Sequence, residues 1–291
     1  MNKNVVCEIL NYNDPSTVIA LVKQIQNYSI FDYILIVDNN SPDDSYEKLK
    51  KFFVKNKHIF VEKTERNGGY GYGNNYGVKF AKEKLNAKYV VISNPDVSFS
   101  NSMVEHLLHT MKKYNAALVS GKQKVNNKMI KNCAWKIPTA LEWTLTETKL
   151  RKIVDSKFHY SERELSTPIS RVECVNGAMF LIDVDKFLKS GGYDERMFLY
   201  CEETTLGFKL KKCGYKTYLL NSEFYNHKGS VSIKKTYSSP IQQDKITHRS
   251  KMIFMKYYLH LNNVELKLLN FVFKYVIIKR QVKEKLIKRI F

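Results

Sequence analysis

The sequence predicts an α/β fold in which a mainly parallel β-sheet is flanked by helices. Over residues 1–120, short runs of β-branched residues alternate with stretches of helical periodicity. Three of these runs end in clusters of Asn, Asp, Ser and Pro, which are typical of loops. Alternating strands and helices produce parallel strands joined by right-handed crossovers. The carboxyl ends of such strands meet at the edge of the sheet where ligands bind.

Four apolar runs have the length and composition of strands. They are Val5–Leu10, Tyr33–Val37, His58–Glu62 and Val90–Ile92. Between them, apolar residues at helical spacing predict helices over residues 15–25, 45–53 and 74–85. Pro15 suits the first turn of the first helix, because a backbone N–H at that position has no partner within the helix.

A glycine-rich stretch lies between the third and fourth strands. Residues Asn67–Gly77 hold five glycines and are expected to form a loop, with a helix beginning near Asn74. Glycine lets the backbone approach a ligand closely, and a helix N-terminus attracts anions. Glycines also serve ordinary turns, so the stretch indicates a phosphate-binding loop only together with its surroundings.

The fourth strand stops at Asn94-Pro95-Asp96, which places a carboxylate in the loop that follows. Proline cannot donate to a sheet ladder, so the strand must end there. A lone carboxylate at this edge suits a hard divalent cation that is shared with substrate phosphates, although an ordinary Asx-Pro turn has the same sequence. The strand ends Asn11–Asn13, Asp38–Asn40 and Asn94–Asp96 are expected to converge with the glycine-rich stretch on a nucleotide site.

The amino-acid composition limits the class of protein and the kinds of binding partner that are expected. The chain has 291 residues, of which 44% are hydrophobic and 26% charged, as in a globular protein. Its formal net charge of +20 favours polyanions such as nucleic acid, nucleotide diphosphates or an anionic membrane. Five separated cysteines predict free thiols rather than disulfides or a zinc site. With no leader and no membrane-spanning run, a cytoplasmic protein that associates with membranes is expected.

Seven blocks of sequence, in order over roughly residues 4–232, carry a family resemblance. They are Asn-Tyr-Asn at residues 11–13, Val-Asp-Asn-Asn-Ser at 37–41, Asn-Gly-Gly…Asn-x-x-Gly at 67–77, Asn-Pro-Asp-Val at 94–97, Val175–Ile182, Gly191–Glu203 and His227–Ser232. Together they resemble the inverting glycosyltransferases of family 2, which have the GT-A fold. The similarity is greatest to a rhamnosyltransferase-like branch that builds bacterial surface polysaccharides.

The resemblance implies a domain organisation and an activity. Residues 1–235 would form a GT-A domain, with a nucleotide-binding half at 1–120 and an acceptor and catalytic half at 121–235. Residues 236–291 would form a helical extension. The enzyme would transfer a hexosyl or rhamnosyl group from a UDP- or dTDP-sugar to a lipid-linked glycan acceptor, in capsule, O-antigen or cell-wall polysaccharide synthesis.

The same resemblance assigns donor-side roles. Asp96 and His227 would hold Mn²⁺ or Mg²⁺, and the imidazole favours Mn²⁺ because it is the softer donor. His227 can equally be an ordinary loop histidine. The residues expected to bind the nucleotide are Asn11, Asn13, Asp38, Asn40, Asn67, Gly68, Asn75 and Asn94. Of these, Asp38 would accept a hydrogen bond from the base, unless it only caps a turn.

Glu203 is the predicted general base, with Glu202 as its supporting partner. Adjacent carboxylates raise each other's pKa, which helps a base to work near neutrality, but they are also favoured in the first turn of any helix. Three features depart from the family pattern: the base is Glu rather than Asp, Thr205 stands where an acid is common, and the first aspartate of the Asp-x-Asp form is missing. The expected acceptor residues are Trp135, Gly177 and Asp194.

The C-terminal segment after Lys251 mixes apolar residues with many cations. The cations near its end are Lys274, Lys279, Arg280, Lys283, Lys285, Lys288 and Arg289. This pattern is typical of a basic amphipathic helix on an anionic membrane. A helical hairpin packed on the domain, or an interface in a homodimer, would produce a similar pattern.

Three other functions fit parts of the sequence. A nucleic-acid-binding protein would explain the charge, but the acidic residues at the sheet edge would repel phosphates, so no nucleic-acid partner is expected. A sugar nucleotidyltransferase would need a glycine-rich loop with Lys or Arg after the first strand, where Asn11-Tyr12-Asn13 stands. The third alternative is a catalytically inactive member of the glycosyltransferase family.

Overall fold

The computed structural model describes residues 3–148, 150–229 and 239–290, with the side chains of all of these except residues 152, 155, 156 and 283–290. The described residues contain twelve strands. They are β1 (Val5–Asn11), β2 (Tyr33–Asp38), β3 (Ile59–Lys63), β4 (Tyr89–Ser93), β5 (Val97–Ser98), β6 (Leu118–Val125), β7 (Lys128–Met129), β8 (Ala134–Trp135), β9 (Ile169–Val172), β10 (Cys174–Val175), β11 (Met179–Asp183) and β12 (Thr217–His227).

One large sheet has the strand order β3-β2-β1-β4-β11-β6-β12-β5, with β7 beside β6 and β9 beside β12. β3, β2, β1 and β4 are parallel, as predicted. β11 enters between β4 and β6 antiparallel to both, with Met179 opposite Ser93 and Asp183 opposite Tyr89. The α/β class is thus confirmed, and the parallel character belongs to the N-terminal half of a mixed sheet.

Helices cover both faces of this sheet. They are α1 (Pro15–Ile25), α2 (Ser45–Phe53), α3 (Tyr70–Leu85), α4 (Asn101–Tyr114), α5 (Ala140–Leu145), α6 (Arg151–Phe158), α7 (Val184–Lys189), α8 (Glu202–Lys212), α9 (Pro240–Tyr257) and α10 (Asn263–Ile290). Strand residues alternate between two apolar cores: Val5, Cys7 and Ile9 contribute to one, and Val6 to the other. This alternation follows from the two-residue period of a strand.

The helix after the glycine-rich stretch begins earlier than predicted. α3 starts at Tyr70 rather than near Asn74, so Gly71 and Gly73 as well as Gly77 lie inside a helix, where only Gly77 was expected. A Cβ on Gly77 would lie 2.5 Å from Oε1 of the buried Glu8. A Cβ on Gly71 would lie 2.8 Å from Cβ of Tyr193. The glycines are therefore required for close packing of α3, which outweighs their poor helix propensity.

The C-terminal segment forms a hairpin of α9 and α10 that packs on the domain. Ser250 Oγ donates to the Leu199 carbonyl at 2.8 Å, and Tyr258 Oη donates to Asp194 at 2.7 Å. No helix of the described residues is long and apolar enough to cross a membrane. Ser230–Ser232 of the predicted motif, and the predicted boundary at residue 235, fall outside the described residues.

Candidate functional site

The carboxyl ends of β1 and β2 bring Asn11 and Asp38 together. These residues are in register and fully buried, and Asn11 Nδ2 donates to Asp38 Oδ2 at 2.7 Å. Asp38 also accepts from the Ser41 N–H at 2.8 Å and from the Ser41 hydroxyl at 2.8 Å. Asp38 thus organises the turn after β2. A hydrogen bond from a nucleotide base to Asp38 stays a prediction, and Oδ1, which accepts one of these three bonds, has room for it.

The turns that follow are built by asparagines in the left-handed region. Asn13 has φ +54° and Asn40 has φ +55°, a conformation that asparagine tolerates better than most residues. The Asn13 N–H donates to Ser41 Oγ at 2.9 Å, and Asn40 Nδ2 donates to the Glu65 carbonyl at 3.2 Å. The side-chain oxygens of Asn11 and Asn13 are buried and have no hydrogen-bond partner among the described residues. They are acceptors available to a ligand.

Asn39 connects this edge to the turn before α3, although it was not among the predicted site residues. It is 3% exposed, and its Nδ2 donates to Asn67 Oδ1 and to the Gly69 carbonyl, each at 3.0 Å. The Asn67 side chain also accepts from the Gly69 N–H at 3.1 Å. Next to it, Gly68 lies against the ring of Tyr72. Asn67 and Gly68 therefore lie beside the strand-end turns. The run of Asn, Asp and Ser after β2 is the sequence feature from which the role of Asn39 could have been predicted.

Two other predicted nucleotide residues lie in different places. Asn94 follows β4, and its N–H donates to the Ala178 carbonyl at 2.8 Å. Asn75 lies within α3, where Nδ2 donates to the Tyr193 carbonyl at 3.1 Å and Oδ1 accepts from the Tyr193 N–H at 2.9 Å. Nδ2 of Asn75 also donates to Glu195 at 2.9 Å. Asn75 thus joins α3 to the segment before α8 and does not lie with the strand-end asparagines.

Asp96 and His227 come together at the far end of the same edge. β5, which begins directly after Asp96, pairs antiparallel with β12 and places His227 opposite Val97. His227 Nε2 lies 3.1 Å from Asp96 Oδ1. The other ring nitrogen lies 3.1 Å from Gln123 Nε2, and the carbonyl oxygen of that amide accepts from Tyr225 Oη at 3.0 Å. The imidazole orientation is therefore fixed from both sides, as is usual for a histidine ligand.

The Asp96–His227 pair fits a divalent cation that is also held by a substrate. Asp96 Oδ2 is buried and has no hydrogen-bond partner among the described residues, so it is available as a ligand. Mn²⁺ accepts both imidazole and carboxylate. No group of three or more acidic, His or Cys side chains suited to a metal is present in the described part of the chain. A cation here would take its remaining ligands from phosphates or water.

Glu202 and Glu203 follow a sharp turn at the start of α8. The two preceding residues, Tyr200 and Cys201, both have φ +69°. Consecutive residues other than glycine in this region cost free energy and are concentrated at functional sites. The Thr205 hydroxyl donates to the Cys201 carbonyl at 2.9 Å, so the residue that departs from the family pattern stabilises this turn.

Burial raises the pKa of both glutamates. Glu202 is 4% exposed, and its burial together with the charge of Glu203 raises its pKa to about 8. Burial also raises the pKa of Glu203, while hydrogen bonds from its own backbone and that of Gly177 oppose the rise. Among the described residues neither glutamate forms an ion pair. Glu202 therefore carries a carboxyl group that can exchange a proton near neutral pH, directly beside Glu203.

Glu203 lines a cavity of about 330 Å³, and Trp135 lies on the same cavity. The Trp135 indole N–H donates to Thr204 Oγ1 at 3.1 Å, which fixes the ring beside α8. Gly177 contacts Glu203 so closely that a Cβ there would lie 2.5 Å from Glu203 Oε1. Thr247 and Lys251 of α9 complete the wall, although the sequence carried no motif that would identify them.

Asp194, the third predicted acceptor residue, lies elsewhere. Its carboxylate is bound by Arg196, with Nη2 at 2.6 Å, and by Tyr258 Oη at 2.7 Å. With Asn75 it lines a second cavity of about 780 Å³ that does not include Glu203. Its contacts show a residue that attaches α9 to the segment before α8, and an acceptor role for it stays a prediction.

Solved structures with the same architecture define the class as GT-A. GalNAc-T7, solved with UDP, GalNAc and Mn²⁺, has a TM-score of 0.59 at 17% identity, over 77% of this chain and 43% of that chain. Staphylococcus aureus TarS has a TM-score of 0.54 at 14% identity, over 92% and 42%. The mannosyltransferase PcManGT from Pyrobaculum calidifontis, in complex with GDP-Man and Mn²⁺, has a TM-score of 0.57 at 12% identity, over 94% and 69%.

Sequence comparison identifies the family. Residues 9–182 match the model of Glycosyl transferase family 2, and the chain belongs to this family. The low-salt glycan biosynthesis hexosyltransferase Agl10 of Haloferax volcanii is 21% identical over 204 residues, 70% of this chain and 60% of the relative. The N-acetylglucosaminyl-diphospho-decaprenol L-rhamnosyltransferase of Mycobacterium tuberculosis is 23% identical over 239 residues, 76% and 74%. The chain thus spans less than two thirds of the first relative's length.

Proposed function

We propose that this protein is an inverting glycosyltransferase that moves a sugar from a UDP- or dTDP-sugar to a glycan acceptor. The single observation that carries the proposal is the coexistence of two acidic centres in one molecule. Asp96 lies beside His227 at the carboxyl end of β12, and Glu203 lies in a cavity lined by Trp135. The first centre suits a cation and a diphosphate, and the second suits a hydroxyl that must lose a proton.

On the donor side, the asparagine-rich turns would bind the nucleoside. The buried acceptor oxygens of Asn11 and Asn13 are suited to N–H and O–H groups of a base or ribose. Asp96 and His227 would hold Mn²⁺ or Mg²⁺ beside the diphosphate. Such a cation neutralises the charge that develops on the leaving diphosphate. The Mn²⁺ in the structures of GalNAc-T7 and PcManGT supports a divalent cation in this fold.

On the acceptor side, Glu203 would act as the general base. The acceptor oxygen forms a bond to the anomeric carbon, and the bond from that carbon to the diphosphate breaks with its electron pair on the leaving oxygen. The acceptor proton passes to Glu203, which lines the cavity, whereas Glu202 is buried behind it. The ring of Trp135 offers an apolar face against which a sugar can stack.

The acceptor would be a lipid-diphosphate-linked glycan, in the synthesis of capsule, O-antigen or cell-wall polysaccharide. The Mycobacterium tuberculosis relative supports this, because its name describes a rhamnosyl transfer to N-acetylglucosaminyl-diphospho-decaprenol. We place the reaction in the cytoplasm at the inner face of the plasma membrane, where nucleotide sugars and lipid-linked glycans meet. The family, the fold and this relative favour this function over a nucleic-acid-binding one.

The test is nucleotide binding and donor hydrolysis across UDP-, dTDP- and GDP-sugars, with Mn²⁺, Mg²⁺ or EDTA. The wild type is compared with Asp96→Ala and with Asp43→Ala, a matched change at an exposed aspartate. We expect one UDP- or dTDP-sugar to bind and to be hydrolysed slowly when a metal is present, and this activity to be lost only in Asp96→Ala. Failure of every nucleotide to bind in calorimetry would refute the proposal.

A further inference from the structure

α10 exposes a continuous apolar stripe that contributes nothing to the domain's cores. It consists of six residues, with their exposed fractions: Val264 (77%), Leu268 (65%), Phe271 (70%), Tyr275 (60%), Ile278 (56%) and Val282 (52%). Their spacing alternates between four and three residues, so they lie on one helix face over about 27 Å. Scattered exposed apolar residues are normal, but an aligned set of this length indicates an interaction surface.

The opposite face of α10 already holds the helix on the protein. Leu266 and Leu269 pack on a third apolar core, and Phe273 is 1% exposed within it. This core also contains Met197 and Phe254. The Phe273 ring stacks on His248 of α9 with centroids 4.4 Å apart, and Arg280 pairs with Asp244 of α9. Because the helix is fixed through this face, the exposed stripe is not a displaced part of the domain's own core.

Lysines border the stripe on both sides. At about 100° per residue, Lys267 and Lys274 lie roughly 60–80° to one side of its centre, and Lys279 lies about 60° to the other. All three are exposed, and none forms an ion pair among the described residues. Glu265 is the only acidic residue between residues 263 and 282. The surface is therefore apolar along its centre and positive at its edges.

We propose that this face of α10 docks on an anionic lipid bilayer, with the helix axis parallel to the membrane surface. The six apolar side chains would enter the boundary between headgroups and acyl chains, while the lysine stems extend along it and place their ammonium groups among lipid phosphates. Each such lysine contributes about fivefold to binding at an anionic surface. The chain's net charge of +20 acts in the same direction.

A second copy of the chain is the competing occupant, because the same spacing serves a two-helix coiled coil. The flanking charges disfavour it. In a parallel pair, Lys274 would face the partner's Lys279, and in an antiparallel pair the lysines at 267 and 274 would lie on a shared side. Two molecules of charge +20 also repel each other. An anionic membrane satisfies these lysines and a second copy does not.

The proposal does not depend on the donor or on the reaction. The docking face is linked to the cavity of Glu203 through α9. α10 packs on α9, and Thr247 and Lys251 of α9 line that cavity. Docking through α10 would therefore hold this cavity at a fixed position relative to the lipid surface.

The test is flotation of the full chain with vesicles of phosphatidylcholine alone or mixed equally with phosphatidylglycerol. One variant carries Leu268→Gln, Phe271→Gln and Ile278→Gln, and a second carries Lys267→Gln, Lys274→Gln and Lys279→Gln. The matched control, Lys51→Gln with Lys55→Gln and Lys57→Gln, removes the same charge from exposed lysines in and just after α2. Unchanged circular dichroism confirms that each variant is folded.

We expect wild type and control to float with the phosphatidylglycerol vesicles and to dissociate as salt is added. The lysine variant should bind about 100-fold or more weakly, and the apolar variant should not float. Equal binding to both vesicle types, or equal losses in the control and the lysine variant, would overturn the proposal. The proposal would also be overturned if the wild type did not float and instead formed a dimer in light scattering, with the apolar variant a monomer.

Discussion

Asp96 and the Glu202–Glu203 pair are both buried acidic centres, but their surroundings differ. The Asp96 carboxylate lies 3.1 Å from an imidazole and has one oxygen without a hydrogen-bond partner among the described residues. The two glutamates lie side by side, with no ion pair to either among those residues, and burial raises the pKa of both. A carboxylate with a second ligand beside it is suited to a metal, whereas carboxylates without a cation are suited to proton transfer.

The two centres also differ in what holds them. Asp96 and His227 are fixed by the register of β5 against β12. Glu203 depends on a strained turn at residues 200–201 and on a wall from α9. The geometry that a sheet register imposes should survive a single substitution nearby. The geometry of a cavity built from separate segments should be more easily disturbed by one. The following predictions test this contrast, beginning with the largest effect.

Glu203→Gln should lower kcat about 10²- to 10⁴-fold, because an amide cannot accept the acceptor proton. Nucleotide binding should be unchanged, since it belongs to the other centre. A transfer assay with calorimetry of the nucleotide measures both. Glu162→Gln, an exposed site, is the control. A variant with wild-type kcat would assign the base to another residue.

Gly177→Ala should disturb the Glu203 centre alone. The new Cβ would lie 2.5 Å from Glu203 Oε1, which forces the carboxylate to move. Overpacking of this kind typically costs about 1–3 kcal/mol of folding stability. Because the displaced carboxylate no longer meets the acceptor hydroxyl in line, kcat should fall about 10- to 100-fold. Nucleotide affinity is measured alongside kcat. If affinity fell and kcat did not, the two centres would not be separate.

Asp96→Ala and His227→Ala should each weaken nucleotide binding in Mn²⁺ by at least about tenfold, equivalent to about 1.4 kcal/mol. In EDTA each variant should match the wild type, because no cation is then bound. Calorimetry under both conditions measures the difference, with His58→Ala as the exposed control. An equal loss in EDTA would show that these residues contact the nucleotide directly.

The free energy of unfolding should fall as pH rises from 4.5 towards 8, the interval over which Glu202 keeps its proton in the folded state and loses it when unfolded. Each such group lowers stability by at most about 1.4 kcal/mol per pH unit. Urea unfolding across this range should show a shallower slope for Glu202→Gln than for the wild type. Equal slopes would contradict the assignment, and Asp96→Asn serves as the comparison from the other centre.

Thr204→Val should have the smallest effect. It removes the acceptor of the Trp135 indole N–H while keeping the shape of the side chain. The loss should be about 1 kcal/mol of stability, with a few-fold rise in KM for the acceptor and no change for the nucleotide. Urea unfolding and acceptor titrations measure these values. An unchanged acceptor KM would remove Trp135 from the acceptor wall.

The sequence predicted the parallel half of the fold well, because each strand there is a short apolar run closed by loop-forming residues. It predicted α3 less well. Gly71 and Gly73 were interpreted as loop residues from their propensity, but contacts of α3 with Tyr193 and β1 decide the local structure. Propensity is a weak guide where tertiary packing opposes it.

In the candidate site, too, the sequence predicts less where tertiary packing decides the arrangement. The Asp96–His227 pair was inferred from motifs that lie far apart in the chain, and the structure brings those side chains into contact. Asn75 and Asp194 were grouped with the site by the same motifs, yet they line another cavity. A motif fixes where a residue lies in the chain, but the direction of its side chain depends on packing. Thr247 and Lys251 had no motif at all.

The contribution of α9 to the cavity has a consequence for how the protein is made. Thr247 and Lys251 are synthesised well after Glu203, and Ser250 of the same helix attaches it to the Leu199 carbonyl. On the ribosome, the cavity therefore stays open on one side until this part of the chain emerges. Under the proposed function, a nascent chain that has completed its sheet would be able to bind a nucleotide before it can accept a second substrate.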